Sequence, residues 1–238
     1  MREFNFNNTE TIQEVRVHEV AHTFMTQVYV WMCFGLAVTG GLALFTARSE
    51  RLIMMLFGSG MVPFIIIAVI QLGIVFYVSS RITSLSPTAA SALFVLYAAL
   101  NGVILAPLFI VYTSGSIAST FFVTAGTFGA MSLYGYTTKK DLSGLGSFLI
   151  MGLIGLILAT IVNIILKNET AMWVITYIGL MIFVLLTAYD TQKIRQMAYE
   201  LDQNEDVRSS VAVLGALRLY IDFVMIFIYL LRIFGSRD

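Results

Sequence analysis

Seven apolar stretches, each long enough to cross a lipid bilayer, constrain what this chain can fold into. They lie at about 28–47, 61–80, 89–112, 117–136, 145–166, 172–189 and 211–231. A helix needs about 20 apolar residues to cross roughly 30 Å of hydrocarbon. Because hydrocarbon offers backbone groups no water partner, continuous stretches of this length form helices. The sequence therefore predicts an all-α integral membrane protein, a bundle of seven transmembrane helices.

Composition supports the same class. The chain is 58% hydrophobic and only 12% charged, whereas a soluble domain is about a quarter charged. We expect a polar cytoplasmic N-terminal segment at 1–27 and a single transmembrane domain at 28–238, surrounded by the lipid bilayer. The formal net charge is zero, which gives no support for nucleic acid as a partner.

Lysine and arginine in the loops indicate the orientation. With the N-terminus inside, the inner segments hold eight basic residues and the outer segments five, leaving out Arg218 within the last stretch. Cytoplasmic loops carry the excess of Lys and Arg, so this distribution favours a cytoplasmic N-terminus. The loop between the sixth and seventh spans is then cytoplasmic, and the C-terminus lies outside.

The last apolar stretch contains an acid that needs a partner. Asp222 lies well inside 211–232, and Arg218 precedes it by four residues on the same helical face. Charged side chains inside a membrane span are costly and mark functional sites or ion pairs. Asp190, at the end of the sixth span, is a second candidate partner. Sequence alone leaves both partners open.

Two carboxyl groups that meet inside a membrane have a definite chemistry. They cannot both be ionised cheaply in a low-dielectric site, so they share a proton and titrate as a pair. Such a pair senses pH, because loss of the proton replaces a hydrogen bond with repulsion. Carboxylate oxygens also suit Ca²⁺, which makes Asp190 and Asp222 a weak, transient metal site.

The N-terminal segment contains His18, Glu19 and His22 in the spacing H-E-x-x-H. On a helix the two histidines could bind zinc, with the glutamate as a base. The chain holds no further histidine, and no motif downstream nominates a third ligand. We therefore prefer an amphipathic helix that precedes the first span.

Small residues at four-residue spacing predict close helix packing. Ala98, Gly102 and Ala106 form such a face on the third span, and Pro107 predicts a kink directly after it. The fourth span repeats the spacing at Gly126 and Ala130. Further pairs of this kind occur at 125 and 129 and at 155 and 159.

Four segments resemble one known family. They are LYAALNGVILAPLFIVYT at 96–113, SLYGYTTKKDLSGLG at 132–146, TAYDTQ at 187–192 and LGALRLYIDFVMIFIYLLRIF at 214–234. Together they are similar to the transmembrane Bax inhibitor motif family, and most of all to its bacterial members. The resemblance implies a seven-helix fold with the C-terminal helix at the centre. It also implies a multi-pass protein of the bacterial inner membrane.

The resemblance further implies a function. Members of the family are described as pH-sensitive calcium-leak channels, gated by two aspartates that match Asp190 and Asp222 here. The chain is then a passive leak channel, not an enzyme, with Ca²⁺ and protons as its ligands and no cofactor. A basic residue of the second helix is linked to the pair in some members, and Arg81 is the candidate here. This chain departs from the family pattern at Met225, where asparagine is usual, and at Arg218.

Two alternatives stay open at this point. The first is a non-enzymatic interaction protein that modulates a membrane protease or a stress response through an unidentified membrane-protein partner. The second is an intramembrane aspartyl protease, which would also use two aspartates on consecutive helices. Such proteases need the second acid in a Gly-x-Gly-Asp turn, and this chain has Leu219, Tyr220 and Ile221 before Asp222.

Overall fold

Seven membrane-length spans account for most of the structure. The computed structural model describes the backbone of residues 6–58, 60, 62–81, 84–200 and 205–237, and their side chains except those of 6–19, 57, 199 and 200. Within these residues the helices are α1 (Phe6–Ala47), α2 (Glu50–Phe57), α3 (Val62–Arg81), α4 (Pro87–Leu105), α5 (Leu108–Val111), α6 (Ser114–Thr137), α7 (Ser143–Leu166), α8 (Glu169–Glu200) and α9 (Glu205–Phe234). One span combines α4 and α5, and α2 is too short to be a span. The predicted all-α architecture with seven spans is confirmed.

Helix α9 is the centre of the bundle. In its most apolar window 78% of the residues are buried, against 39% in α8 and 11% in α3 and α7. It packs against α1, α4, α6 and α8. A helix that is apolar on nearly all sides is typical of a buried core helix or of a membrane span. The expected central position of the C-terminal helix is confirmed.

The surrounding helices turn apolar side chains outward. Phe76 of α3, Phe122 of α6 and Ile165 of α7 are each more than 70% exposed. Contiguous apolar exposure on this scale is unusual in a soluble monomer. In a membrane these faces contact lipid chains, which are as apolar as the side chains themselves.

A buried polar cluster fixes α9 against α1 and α4. The Tyr220 hydroxyl lies 2.5 Å from Thr39 Oγ1, and Thr39 donates to the Ala98 carbonyl oxygen at 2.9 Å. Because the single Thr39 hydroxyl proton goes to the carbonyl, Tyr220 donates to Thr39. Asn101 of α4 is buried near the Tyr220 hydroxyl. The cluster satisfies polar groups that lipid could not.

The third span breaks at the proline that the sequence identified. Helix α4 ends at Leu105, and α5 begins at Leu108, on the far side of Pro107. Proline supplies no backbone N–H and its ring clashes with the preceding turn. The predicted kink at Pro107 is confirmed.

Close helix packing is confirmed on α4 but not on α6 and α7 at the predicted positions. A Cβ atom added at Gly102 would lie 2.6 Å from the Thr39 carbonyl oxygen. Added at Gly126, Gly129 or Gly155, it would meet no atom within 4 Å in the described part of the chain. The small residue of α6 that does permit a close approach is Gly135, where an added Cβ would collide with the Ala188 backbone. Spacing alone did not distinguish a helix-facing glycine from an outward-facing one.

The sixth and seventh spans are longer than the sequence indicated. Helix α8 continues from the predicted end at 189 to Glu200, and α9 begins at Glu205 rather than near 211. The additional turns, 190–200 of α8 and 205–210 of α9, are rich in polar residues. The apolar pattern stops where the helices leave the hydrocarbon, so it did not predict these turns. Asp190 therefore lies in the middle of a continuous helix and not at its end.

Gly135→Ala tests the contact between α6 and α8. Because the added methyl group collides with backbone that cannot rotate away, we expect a loss of about 1–3 kcal/mol of stability. For a chain of this length that is roughly 2–4 °C of melting temperature per kcal/mol. Thermal unfolding of the purified protein in detergent measures it.

Gly126→Ala is the matched control on the same helix. Its methyl group meets open space, and alanine is the better helix former. An equal loss in both variants would show that α6 and α8 do not meet at Gly135.

Candidate functional site

Asp222 is buried inside the central helix. Its side chain is 3% exposed, and it is the one charged residue among the buried side chains of the described chain. Asp222 and Tyr220 are two residues apart, which points them to nearly opposite sides of α9. Tyr220 faces α1 and α4, and Asp222 faces α8.

Asp190 of α8 is the partner of Asp222. The two carboxyl groups are in hydrogen-bonding contact. Asp222 Oδ2 is buried and receives no hydrogen bond from an N–H or hydroxyl group of the described residues. Ionised carboxylates only accept hydrogen bonds, so a contact between two of them is favourable when one carries a proton. A shared proton between Asp190 and Asp222 is consistent with this contact and stays a prediction.

The segment TAYDTQ at 187–192 holds α8 in place around Asp190. Ala188 packs on Gly135 of α6, and the Tyr189 ring packs on Gly146 of α7. A side chain at Gly135 would clash with Ala188, and one at Gly146 would clash with Tyr189. These two contacts bring three helices together at the depth of the aspartate. They also show why small residues are needed on α6 and α7 at these two positions.

Hydroxyl and amide groups complete the attachment of α8. Thr191 donates to the Thr187 carbonyl oxygen at 2.7 Å, and its Oγ1 lies 3.0 Å from Ser132 Oγ. Ser132 Oγ in turn lies 2.5 Å from the Tyr29 hydroxyl of α1. The side chains of Thr187 and Gln192 also hydrogen-bond within the protein, and Asp190 lines the cavity beside α9.

A cavity of about 430 Å³ opens beside the aspartate pair, between α7, α8 and α9. Ile150 and Leu153 form the α7 side, and Lys193 and Arg218 bring two cations to the same cavity. Sequence reasoning missed Lys193. The signal was present, since a residue three positions after Asp190 lies on the same helical face.

Arg218 lines this cavity but does not clamp Asp222. It is half-buried and acts electrostatically on both aspartates. No ion pair joins it to either carboxylate in the described part of the chain. Of the two partners that the sequence left open, the structure brings Asp190 into contact with Asp222.

Arg81 does not reach the pair. It lies exposed in the last turn of α3, a helix that packs mainly against α4. It is absent from the cavity that contains Asp190 and Asp222. The structure therefore offers no contact for the role that the resemblance implied for this residue.

The H-E-x-x-H segment is only partly described. The side chains of His18 and Glu19 lie outside the described residues, and His22 is exposed on α1. His22 lines a separate cavity of about 420 Å³ together with Tyr29 and Ser132. A zinc site at His18, Glu19 and His22, the less favoured interpretation of this motif, is therefore not tested.

The carboxyl pair can offer a cation only a few oxygen ligands. Ca²⁺ takes six to eight oxygens, with water supplying those that the protein does not. Among the described residues no group of three or more His, Cys, Asp or Glu side chains forms a metal cluster. Transient binding of Ca²⁺ by Asp190 and Asp222 therefore stays a prediction.

Fold and site together define a multi-pass α-helical membrane protein with a carboxyl pair beside its central helix. The sequence profile of the family described as "Inhibitor of apoptosis-promoting Bax1" matches residues 21–238. The chain belongs to this family of Bax inhibitors, which confirms the resemblance seen in its motifs. The family match does not point to a catalytic function.

Bacterial relatives share nearly the whole chain. "Inner membrane protein YbhL" of Escherichia coli (strain K12) is 51% identical over 216 residues, covering 90% of this chain and 92% of the relative. A protein of Borreliella burgdorferi is 40% identical, covering 94% and 97%. One of Deinococcus radiodurans is 39% identical, covering 100% and 98%. The predicted location in a bacterial inner membrane is confirmed.

A double-mutant cycle tests the carboxyl contact. We expect the stability losses of Asp190→Asn and Asp222→Asn not to add up in the double variant, with a coupling energy of about 0.5–3 kcal/mol. Either single substitution already removes the interaction between the two groups, so the second cannot remove it again. Melting temperatures of the four proteins in detergent, at one pH, give the coupling.

Glu169→Gln paired with Asp222→Asn is the control cycle. Glu169 is an exposed acid on the same helix, 21 residues before Asp190, or roughly 30 Å along α8. This pair should be additive within about 0.5 kcal/mol. If the stability changes were additive in both cycles, the contact between Asp190 and Asp222 would be contradicted.

Proposed function

We propose that the protein is a passive, pH-sensitive cation leak, with Ca²⁺ as the ion, and that protonation of Asp190 and Asp222 controls it. The observation that carries the proposal is the hydrogen-bonding contact of these two carboxyl groups beside a cavity. A proton shared between Asp190 and Asp222 makes the packing of α8 on α9 depend on the pH of the solution. The same proton also changes the charge that an entering cation meets.

Charge in the cavity supports this role. With one proton shared, the pair carries a single negative charge beside the cations of Lys193 and Arg218. Loss of the proton adds a second negative charge and removes the hydrogen bond between the helices. In a low-dielectric site each change is worth far more than it would be in water. Flux through the site must then depend on pH.

The arrangement of α8 supports a gate rather than a fixed ion pair. A structural ion pair would be satisfied by Arg218, which instead forms no ion pair with Asp222 in the described chain. Helix α9 is fixed to α1 and α4 through Tyr220 and Thr39, independently of Asp190. Repulsion between the carboxylates would therefore act on α8 while the opposite face of α9 stays packed.

Flux of Ca²⁺ into liposomes containing the purified full-length protein tests the proposal. Wild-type flux should change with pH, and Asp222→Asn should remove that response, because an amide cannot take up or release the proton. A Ca²⁺-sensitive dye inside the liposomes, read across a pH series, measures it.

Glu169→Gln serves as the control for the same assay and should keep the wild-type response. Equal flux in wild type and Asp222→Asn at every pH would contradict the proposal. A cellular phenotype of the protein that survives loss of both aspartates would favour the interaction-protein alternative.

Lys193→Gln gives a second, directional prediction. Because it removes a cation from the wall of the cavity, we expect Ca²⁺ flux at a fixed pH to rise severalfold, since charge focused in a cleft alters local ion concentration by tenfold or more. The liposome assay measures it. Arg48→Gln, at an exposed position at the other end of the bundle, should leave flux unchanged, and an unchanged flux in Lys193→Gln would exclude the ion from this cavity.

A further inference from the structure

A second polar cavity, of about 270 Å³, lies where the loop between α6 and α7 meets α8. Lys139, Lys140 and Asp141 contribute from the loop, and Gln192 and Arg195 from α8. The loop joins the end of α6 at Thr137 to the start of α7 at Ser143. It therefore sits at the membrane edge, at the end of the bundle that the basic residues predict to be cytoplasmic.

The shape of this cavity is fixed by a buried side chain. Gln192 is 9% exposed, and both ends of its amide are used. Its Oε1 accepts from the Leu142 N–H and its Nε2 donates to the Lys140 carbonyl oxygen, each at 2.8 Å. These bonds hold the loop backbone against α8. The loop that carries Lys139 and Lys140 is thus already ordered before a ligand binds.

Positive charge dominates the cavity. Lys139 and Lys140 are exposed, and Arg195 lies with its guanidinium carbon 4.7 Å from the centre of the Tyr136 ring. The one carboxylate, Asp141, accepts a hydrogen bond from the Ser143 N–H at 2.9 Å. Hydrogen bonds from Ser143 lower the pKa of Asp141, so it stays ionised. Among the described side chains that line the cavity, Lys139, Lys140 and Arg195 are cationic and Asp141 is the carboxylate.

We propose that this cavity binds the phosphate group of an anionic phospholipid through Lys139 and Lys140, with Arg195 adding positive charge from α8. Basic pockets between helices on the cytoplasmic side of a membrane recognise such headgroups. Charge-assisted hydrogen bonds to phosphate are among the strongest that proteins make.

The helices on both sides of the loop favour a lipid over free phosphate. Leu133 of α6 is 64% exposed, and Phe148 of α7 is 67% exposed. Each lies within about one and a half turns of the loop, so an acyl chain can follow apolar surface away from a headgroup held at the lysines. Free phosphate would gain nothing from these contacts.

Lipid titration of the full-length protein in detergent, read by native mass spectrometry, tests the site. The probes are phosphatidylglycerol and phosphatidylcholine with identical acyl chains. We expect the anionic lipid to bind more tightly, and Lys139→Gln/Lys140→Gln to weaken it about 25-fold, at about fivefold for each cation removed near an anionic surface. Binding of phosphatidylcholine should not change, and Lys139→Arg/Lys140→Arg should keep the preference.

Arg48→Gln/Arg51→Gln is the matched control. It removes two exposed cations, Arg48 before α2 and Arg51 in the first turn of α2, at the opposite end of the bundle, and should leave phosphatidylglycerol binding within about twofold. Equal weakening in both double variants would show unspecific attraction and would overturn the proposal. Inorganic phosphate is also added at the same concentration as the lipid. If it abolishes the preference for phosphatidylglycerol over phosphatidylcholine, the cavity binds the free anion and the proposal of a lipid is overturned.

Discussion

The structure depends on a carboxyl group that has been taken out of water in the most buried helix of the chain. An isolated ionised carboxylate in such surroundings is costly enough that it must be neutralised or paired. Asp222 meets this requirement through Asp190, a second acid, although Arg218 is one turn away. The contact is therefore favourable in one protonation state and unfavourable in another. A membrane protein that needed only stability would have an apolar residue at either position.

The two faces of α9 are held in different ways. Toward α1 and α4, Tyr220 and Thr39 form hydrogen bonds between neutral groups, which do not change with pH near neutrality. Toward α8, we propose that the contact of Asp222 with Asp190 depends on a proton. Helix α8 itself is attached to α6 and α7 through Ala188 and Tyr189, which pack on glycines. A change at the aspartates thus acts on α8 together with the helices that it carries, against a central helix that stays in place.

Much of this could be predicted from the sequence. Continuous apolar stretches determine helices in a membrane, so the seven spans, the break at Pro107 and the lone acid at Asp222 were all visible. The residues alone named Asp190 and Arg218 as candidate partners but did not choose between them, because the apolar pattern ended near 189 while α8 continues to Glu200. Backbone hydrogen bonds let a helix continue through polar residues, and a hydropathy pattern does not reveal that continuation.

Side-chain direction was the other missing information. Gly126 and Gly135 lie on the same helix, yet one faces outward and the other meets Ala188. Lys193 and the cavity below the loop at 138–142 needed three-dimensional proximity of segments about 50 residues apart, such as Leu142 and Gln192. The resemblance to a family supplied the aspartate pair, and it also suggested Arg81, which lies elsewhere.

Infrared spectroscopy of the purified protein near neutral pH tests directly whether Asp190 and Asp222 share a proton. Exposed acids are ionised there, so the account predicts a C=O stretching band from one protonated carboxyl group. The band should be lost or shifted in Asp190→Asn and in Asp222→Asn, and unchanged in Glu169→Gln. A wild-type protein without a protonated carboxyl band at that pH would contradict the central claim.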